Sequence, residues 1–225
     1  MSDAFWQEFS AGEPEPAGYR DRYPAPMPDG RRLVLPLRDY GAIAVTGFIA
    51  NQAGFPVLRA ITGWMAQAAR RFGAEVVVGL PTLGHVVGGP VAEALGHPNW
   101  VAPGYSRKTW YEERLSVPTS SSTAPEARRM WLDPRLLPRL AGRRVLLVDD
   151  VISTGSSALA GLQLLRLAGV APVGLCVAMA QGDRWQADWR SEVPVAAAFC
   201  TPLFRRGTAG WQPDAATLPR GVAGP

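Results

Sequence analysis

The sequence predicts an α/β protein with a Rossmann-like parallel sheet and helices on both faces of that sheet. Apolar, β-branched runs at 75–80, 145–148 and 173–179 are typical of strands buried on both faces. Helical spacing of apolar residues, at 55–72 and 157–168, alternates with these runs. Strands that alternate with helices favour a parallel sheet, and ligands bind such sheets beyond the carboxyl ends of the strands.

The remaining elements follow in chain order. Residues 1–30 are rich in Pro, Gly and charge and predict an extended arm, which packs on its own domain or on a partner subunit. A strand is expected at 33–37, and Gly73 is expected to cap the helix at 55–72.

Less regular patterns occupy the middle and the end of the chain. A short helix is predicted at 90–95 and a further strand at 99–102. Residues 104–129 are polar and predict a long mobile loop, whereas 207–225, rich in Gly, Pro and Ala, predict a loosely ordered tail.

The composition narrows the class of protein. The chain has 225 residues, 47% apolar and 19% charged, which suits one domain with a sizeable core. No stretch has membrane-spanning length and no signal-peptide pattern opens the chain, so we expect a cytoplasmic protein. The formal charge of +4 fits an anionic substrate without requiring nucleic acid. Cys176 and Cys200 are interpreted as small core residues.

The most informative motif runs from 145 to 157. An apolar strand is followed by Asp149 and Asp150, then by Ser153, Thr154, Gly155, Ser156 and Ser157, and then by a helical pattern. A turn of small residues before a helix offers free backbone N–H groups and the positive end of the helix dipole, which together suit a phosphate. Neighbouring carboxylates suit a ligand that also carries hydroxyl groups or a metal. A phosphorylated sugar meets both conditions, whereas helix capping alone explains only one of these residues.

This motif resembles the phosphoribosyl pyrophosphate (PRPP) motif of type I phosphoribosyltransferases. The resemblance implies that Asp149 and Asp150 contact the ribose hydroxyls and that 153–157 hold the 5′-phosphate. It also implies that Thr82, Leu83 and Gly84, in a glycine-bounded turn, bind pyrophosphate through backbone N–H groups. His85 either touches pyrophosphate or is a polar residue satisfied at a helix start.

Arg107 and Lys108 match the Arg-Lys pair that enters the flexible catalytic loop of adenine phosphoribosyltransferases. Cations placed there would stabilise the departing pyrophosphate. The alternative is a charged surface loop. Hypoxanthine–guanine enzymes have Asp at the position of Ser153, so the sequence argues against a usual 6-oxopurine substrate.

The predicted activity is therefore transfer between PRPP and a nitrogenous base, adenine or a modified relative, with release of pyrophosphate. The expected cofactor is Mg²⁺, which PRPP would carry into the site. No direct protein ligand for the ion is predicted, although Asp149 and Asp150 could contact it. Trp185 and Asp183 are candidates for base binding, by stacking and by accepting a hydrogen bond, although Trp185 could equally cover apolar surface. A homodimer is expected.

The predicted layout is an arm at 1–30, a phosphoribosyltransferase domain at 31–206 and the tail at 207–225. The core of the domain spans about 75–180, and a small hood comes from 31–60 and 181–206. Two rival functions are a PRPP-binding regulatory protein acting on nucleic acid and a structural subunit without turnover. No convincing helix-turn-helix appears in the first 60 residues, and the acidic pair and Arg-Lys pair are present, which disfavours both rivals.

Overall fold

The computed structural model describes residues 5–10, 17–121, 124–189 and 193–225. Its strands are β1 (Phe9–Ser10), β2 (Arg22–Pro26), β3 (Arg32–Asp39), β4 (Ile43–Thr46), β5 (Val76–Gly79), β6 (Ser116–Ser121), β7 (Ala124–Trp131), β8 (Val145–Ile152), β9 (Pro172–Gln181), β10 (Val195–Thr201), β11 (Leu203–Arg206) and β12 (Trp211–Asp214). Its helices are α1 (Phe55–Ala69), α2 (Gly84–Ala94), α3 (Leu137–Leu140), α4 (Ser156–Leu167) and α5 (Arg184–Asp188).

The centre of the molecule is a four-stranded parallel sheet in the order β10-β9-β8-β5. Leu146 and Val148 of β8 belong to the apolar cluster that contains α1 and α2. Val145 and Leu147 belong to the cluster that contains α4, because side chains alternate along a strand. The predicted α/β fold with helices on both faces is confirmed.

A second, antiparallel sheet covers the first and is called the hood sheet here. It comprises β1, β2, β3, β4, β11 and β12, and therefore combines both ends of the chain. Tyr19 and Trp211 exchange backbone hydrogen bonds and join the two ends directly. The predicted hood from the chain ends is confirmed, but it extends beyond the predicted 31–60 and 181–206, because β1, β2 and β12 also belong to it.

The described part of the arm packs on its own domain. Trp6 is buried, and its indole N–H donates to the carbonyl of Gly47 at 2.9 Å. Residues 1–4 and 11–16 of the predicted arm lie outside the described residues.

The predicted loose tail is wrong for much of its length. Within 207–225, β12 pairs with β11, and Ala223 hydrogen-bonds to Val195 and Ala197 of the parallel sheet. The Gly, Pro and Ala content of 207–225 does not predict a strand, because β12 is stabilised by pairing with β11 rather than by local propensity.

The secondary structure predicted for 104–129, a loop without strands, is also corrected. This segment contains β6 and the first part of β7, which form an antiparallel hairpin and bury Val117 and Met130. Residues 122–123 lie outside the described residues. Helix α2 begins at Gly84, six residues before the predicted start, because packing against the sheet overrides the low helix propensity of its glycines.

Candidate active site

A cavity of about 570 Å³ lies where the carboxyl ends of β8 and β9 face the hood sheet. Segments that are distant in sequence line it together. The contributing residues are Arg38, Tyr40 and 45–49 of the hood side, 81–83 after β5, Tyr105, Thr119 and Arg128 of the 104–131 region, Asp149–Val151 near the end of β8, Ser153, Thr154 and Ser157 after β8, Met179 and Gln181 at the end of β9, and Arg184 after β9. The cavity thus lies at the edge of the sheet that the sequence predicted to bind ligand.

The acidic pair forms part of the cavity wall from inside strand β8. Asp149 and Asp150 are only 6% and 9% exposed, and the backbone N–H of Asp150 donates to Asp149 Oδ1 at 2.9 Å. Burial raises the pKa of Asp150 to about 6. Burial, and then the neighbouring charge of Asp150, raise the pKa of Asp149 well above its ordinary value. No cationic side chain forms an ion pair with either carboxylate among the residues that the structure describes.

The phosphate turn, defined as residues 153–157, connects β8 to α4. Gly155 has φ +81° and precedes the first helical residue, so the turn needs a residue that tolerates the left-handed region. Because glycine has no side chain, no side-chain hydrogen bond caps the first turn of α4. A cleft of about 70 Å³ lies against this turn, where unpaired N–H groups and the helix dipole can hold an anion.

The predicted pyrophosphate turn lies beside the acidic pair. Pro81, Thr82 and Leu83 line the cavity, and the peptide bond between Pro81 and Thr82 is cis. A Cβ atom on Gly84 would lie 2.7 Å from Asp149 Oδ1, so only glycine allows α2 to start so close to β8. The structure therefore brings together the predicted ribose, phosphate and pyrophosphate residues. His85 instead contacts the carbonyl of Pro103 at 2.8 Å, as the polar-residue interpretation expects.

The Arg-Lys pair does not line the cavity. Arg107 is exposed, pairs with Glu113 at 2.7 Å and lies over the ring of Trp131, and Lys108 is exposed on the same segment. The hairpin supplies another cation, Arg128, which lines the cavity opposite Thr119 in the β6–β7 register. No motif of the sequence pointed to Arg128, because its polar surroundings predicted a loop without strand alternation.

The predicted base-binding pair is corrected by the structure. Trp185 is 2% exposed and donates its indole N–H to the carbonyl of Gly182, so no ring face is available for stacking. Asp183 does not line the cavity either. Met179 and Gln181 face it instead, because alternate residues of β9 point to the same side, and Arg184 follows them after the strand ends.

The hood side of the cavity carries residues that no sequence motif indicated. Val45, Phe48 and Ile49 form an apolar wall, and Arg38 stands opposite Val45 in the β3–β4 register. The Arg38 guanidinium covers Gly47, where a Cβ atom would lie 3.1 Å from Nε. The antiparallel pairing of β3 with β4 places Arg38 beside Val45. In the sequence, only an alternation pattern at 34–38 could have indicated this position of Arg38.

The two carboxylates of the cavity are donors that a magnesium ion would fit. Mg²⁺ prefers hard oxygen ligands and keeps several waters, and the buried carboxylates of Asp149 and Asp150 are such ligands. The described residues contain no cluster of three or more metal-ligating side chains, so they offer no complete protein cage for the ion.

Comparisons with known proteins agree with this geometry. The sequence profile of the phosphoribosyl transferase domain matches residues 52–196. Adenine phosphoribosyltransferases of Streptomyces avermitilis and Streptomyces coelicolor are 33% and 34% identical to this chain over 138 residues, which is 61% of this chain and 71% of each relative. Among solved structures, adenine phosphoribosyltransferase of Saccharomyces cerevisiae, complexed with an imino-altritol bisphosphate and adenine, has the same fold. Its TM-score is 0.55 at 19% identity, covering 72% of this chain and 94% of that chain.

The described residues contain no helix long and apolar enough to cross a membrane.

Proposed function

Because the chain belongs to the phosphoribosyl transferase domain family, we propose that it transfers the phosphoribosyl group of PRPP to a purine-like base, adenine or a modified relative, and releases pyrophosphate. One observation carries the proposal. A buried acidic pair without a cationic partner among the described residues shares a cavity with the phosphate turn. Such a pair is costly to bury unless a ligand supplies donors or a cation.

In the proposed reaction, a ring nitrogen of the base forms a bond to C1 of the ribose and loses its proton to water, while the C1–O bond to pyrophosphate breaks. The electron pair of that bond leaves with pyrophosphate, and C1 develops positive character. Asp149 and Asp150 would accept hydrogen bonds from the ribose hydroxyls, and 153–157 would hold the 5′-phosphate. The protein thereby orients the sugar and stabilises charge, without a covalent step of its own.

The leaving group would lie against Thr82, Leu83 and Gly84, whose turn adjoins Asp149. Mg²⁺, when bound with PRPP, would neutralise part of the charge on the pyrophosphate oxygens. Asp149 and Asp150 are the carboxylates of the cavity that could approach the ion or its waters.

The base would occupy the hood side of the cavity. Tyr40 and Ile49, which line the cavity and keep exposed surface, offer apolar contacts to a planar ring, and Arg38 offers donors to ring nitrogen or oxygen acceptors. The names of the relatives support adenine as the first base to test. None of these observations favours the nucleic-acid-binding alternative. A cytoplasmic homodimer is part of the same proposal, which light scattering and cell fractionation would test.

The test is a screen of purine and pyrimidine bases with PRPP and Mg²⁺, in which pyrophosphate release is measured. We expect turnover with an aminopurine and none with D149N/D150N, whose side chains keep their size but lose both charges. Binding of PRPP with no pyrophosphate release for any base would contradict the transferase proposal.

A further inference from the structure

Arg184 is a cation at the phosphate turn that no motif of the sequence assigned. It is exposed, lines the cavity together with Ser153 and Thr154, and donates from Nη2 to Ser153 Oγ at 3.0 Å. No carboxylate forms an ion pair with it anywhere in the described ranges. Other exposed arginines without an ion pair among the described residues, such as Arg59 and Arg166, do not line the cavity.

The Ser153 hydroxyl that accepts from Arg184 is itself held in place by the buried side-chain amide of Gln181. The Ser153 hydroxyl donates to Gln181 Oε1 at 2.5 Å, and Gln181 Nε2 donates to the carbonyl of Thr46 in the hood sheet. Gln181 is only 5% exposed, so its orientation is determined by these partners. A serine has a single hydroxyl proton, and the Ser153 hydroxyl uses it in the hydrogen bond that it donates to Gln181.

This arrangement changes the role expected for Ser153. With its proton directed to Gln181, the hydroxyl has only lone pairs left, and a phosphate oxygen offers no proton to them. The Ser153 hydroxyl, as distinct from its backbone N–H, is therefore suited to accept from Arg184 rather than to bind phosphate. The guanidinium has five N–H donors, and one contact with Ser153 leaves the others available.

From this geometry we propose that Arg184 binds the 5′-phosphate of the sugar substrate and that Ser153 and Gln181 are its positioning residues. The inference rests on the proposed function and adds a charged ligand to a turn that otherwise offers neutral donors. A guanidinium binds phosphate through paired, charge-assisted hydrogen bonds, which are stronger than those of neutral N–H and O–H groups. The enzyme would thereby select sugars that carry a 5′-phosphate.

The test is calorimetric binding of ribose 5-phosphate, and separately of pyrophosphate with Mg²⁺, to wild type and to Arg184→Gln. We expect a loss of affinity of about tenfold to hundredfold for ribose 5-phosphate, with unchanged affinity for pyrophosphate. Arg166→Gln, which removes the same charge from an exposed position outside the cavity, is the matched control and should bind both ligands as wild type does. Arg184→Lys should recover part of the affinity.

A second variant tests the positioning role. Ser153→Ala should weaken ribose 5-phosphate binding, and R184Q/S153A should be no weaker than Arg184→Gln alone, because Ser153 acts through Arg184. Additive losses would make Ser153 an independent ligand and overturn that part. Equal affinity of Arg184→Gln and wild type, or equal losses for both ligands, would overturn the role of Arg184. If wild type itself bound neither ligand, the proposed function would fail together with this inference.

Discussion

Two charged regions of this protein are arranged in opposite ways. Asp149 and Asp150, inside the cavity, are buried and have no cationic partner among the described residues. Arg107 and Arg129, at the base of the β6–β7 hairpin, are exposed and share Glu113, with N–O distances of 2.7 and 3.8 Å. Both guanidinium groups also lie over the ring of Trp131.

The buried carboxylates lack a partner that a ligand could supply, whereas the exposed arginines already have an acidic partner within the protein. An exposed ion pair contributes little to stability and needs no ligand. Two adjacent buried carboxylates raise the free energy of the unliganded protein, and a sugar with hydroxyl donors, or a cation, would relieve that cost. Unsatisfied buried charge is therefore the better indicator of function here, although sequence motifs pointed to both regions.

The largest expected effect follows from neutralising the acidic pair. Asp149→Asn and Asp150→Asn should each weaken PRPP binding by about 1.5–3 kcal/mol, because each loses a charge-assisted hydrogen bond to a ribose hydroxyl. Calorimetry with PRPP and Mg²⁺ measures this loss, with circular dichroism as the control for folding. Unchanged affinity in both variants would remove the pair from the site.

The pH dependence of stability sharpens the comparison. Since the folded-state pKa of Asp150, about 6, exceeds its ordinary value, the folded state binds more protons than the unfolded state between about pH 4 and 6. This contribution to stability is present at low pH and is lost as the pH rises through 6. Asp150→Asn cannot ionise and so avoids this loss, and it should be more stable than wild type at pH 7.5 by an amount on the order of 1–3 kcal/mol.

Denaturant unfolding of both proteins at pH 5 and pH 7.5 measures that difference. Binding has the opposite sign, because ionised carboxylates accept from the sugar hydroxyls, so PRPP affinity should rise with pH through about 6. A stability difference that does not change with pH would show that the carboxylate is not protonated in the folded state.

Gly84 tests how closely α2 must approach the acidic pair. Gly84→Ala should cost about 1–3 kcal/mol of stability and reduce turnover, because the new methyl group would overlap Asp149. Gly63→Ala is the matched control, since a Cβ at this position in α1 meets no atom within 4 Å and the change should stabilise by about 0.5–1 kcal/mol. Equal effects of the two substitutions on turnover would show that the approach is not critical.

Lys108 tests whether the hairpin region supplies a cation to the reaction. If the region closes over bound PRPP, Lys108→Ala should reduce turnover by about tenfold, because a cation near the leaving group is lost, with ribose 5-phosphate affinity unchanged. Steady-state kinetics and calorimetry together measure the two quantities. Equal losses in both would refute a role at the pyrophosphate.

The smallest effect is expected at the satisfied ion pair. Arg107→Gln should change the free energy of unfolding by no more than about 0.5 kcal/mol, because both partners are exposed and solvent screens the pair. Thermal unfolding at low and high salt would check this. A larger loss would show that the packing of Arg107 over Trp131 stabilises the hairpin base.

The sequence by itself determined the parts of the site that are continuous in the chain. Residues 145–157 contain a strand, an acidic pair, a turn and a helix start in one order, and each depends on local propensity and on neighbours a few residues away. The turn at 82–84 could also be predicted from the sequence, since a strand, the turn and a helix follow one another along the chain. Their meeting at one cavity followed from the parallel sheet alone.

Only the tertiary structure decided which cations and which apolar residues reach the cavity. Arg38, Arg128 and Arg184 come from different elements and converge through strand pairing and alternation, whereas Trp185, one residue beyond Arg184, is buried in the core. A shift of one residue reverses which side of a strand a side chain faces, and long-range pairing determines that register. The motif thus identified the chemistry of the sugar, and the packing of distant strands determined the surroundings of the base.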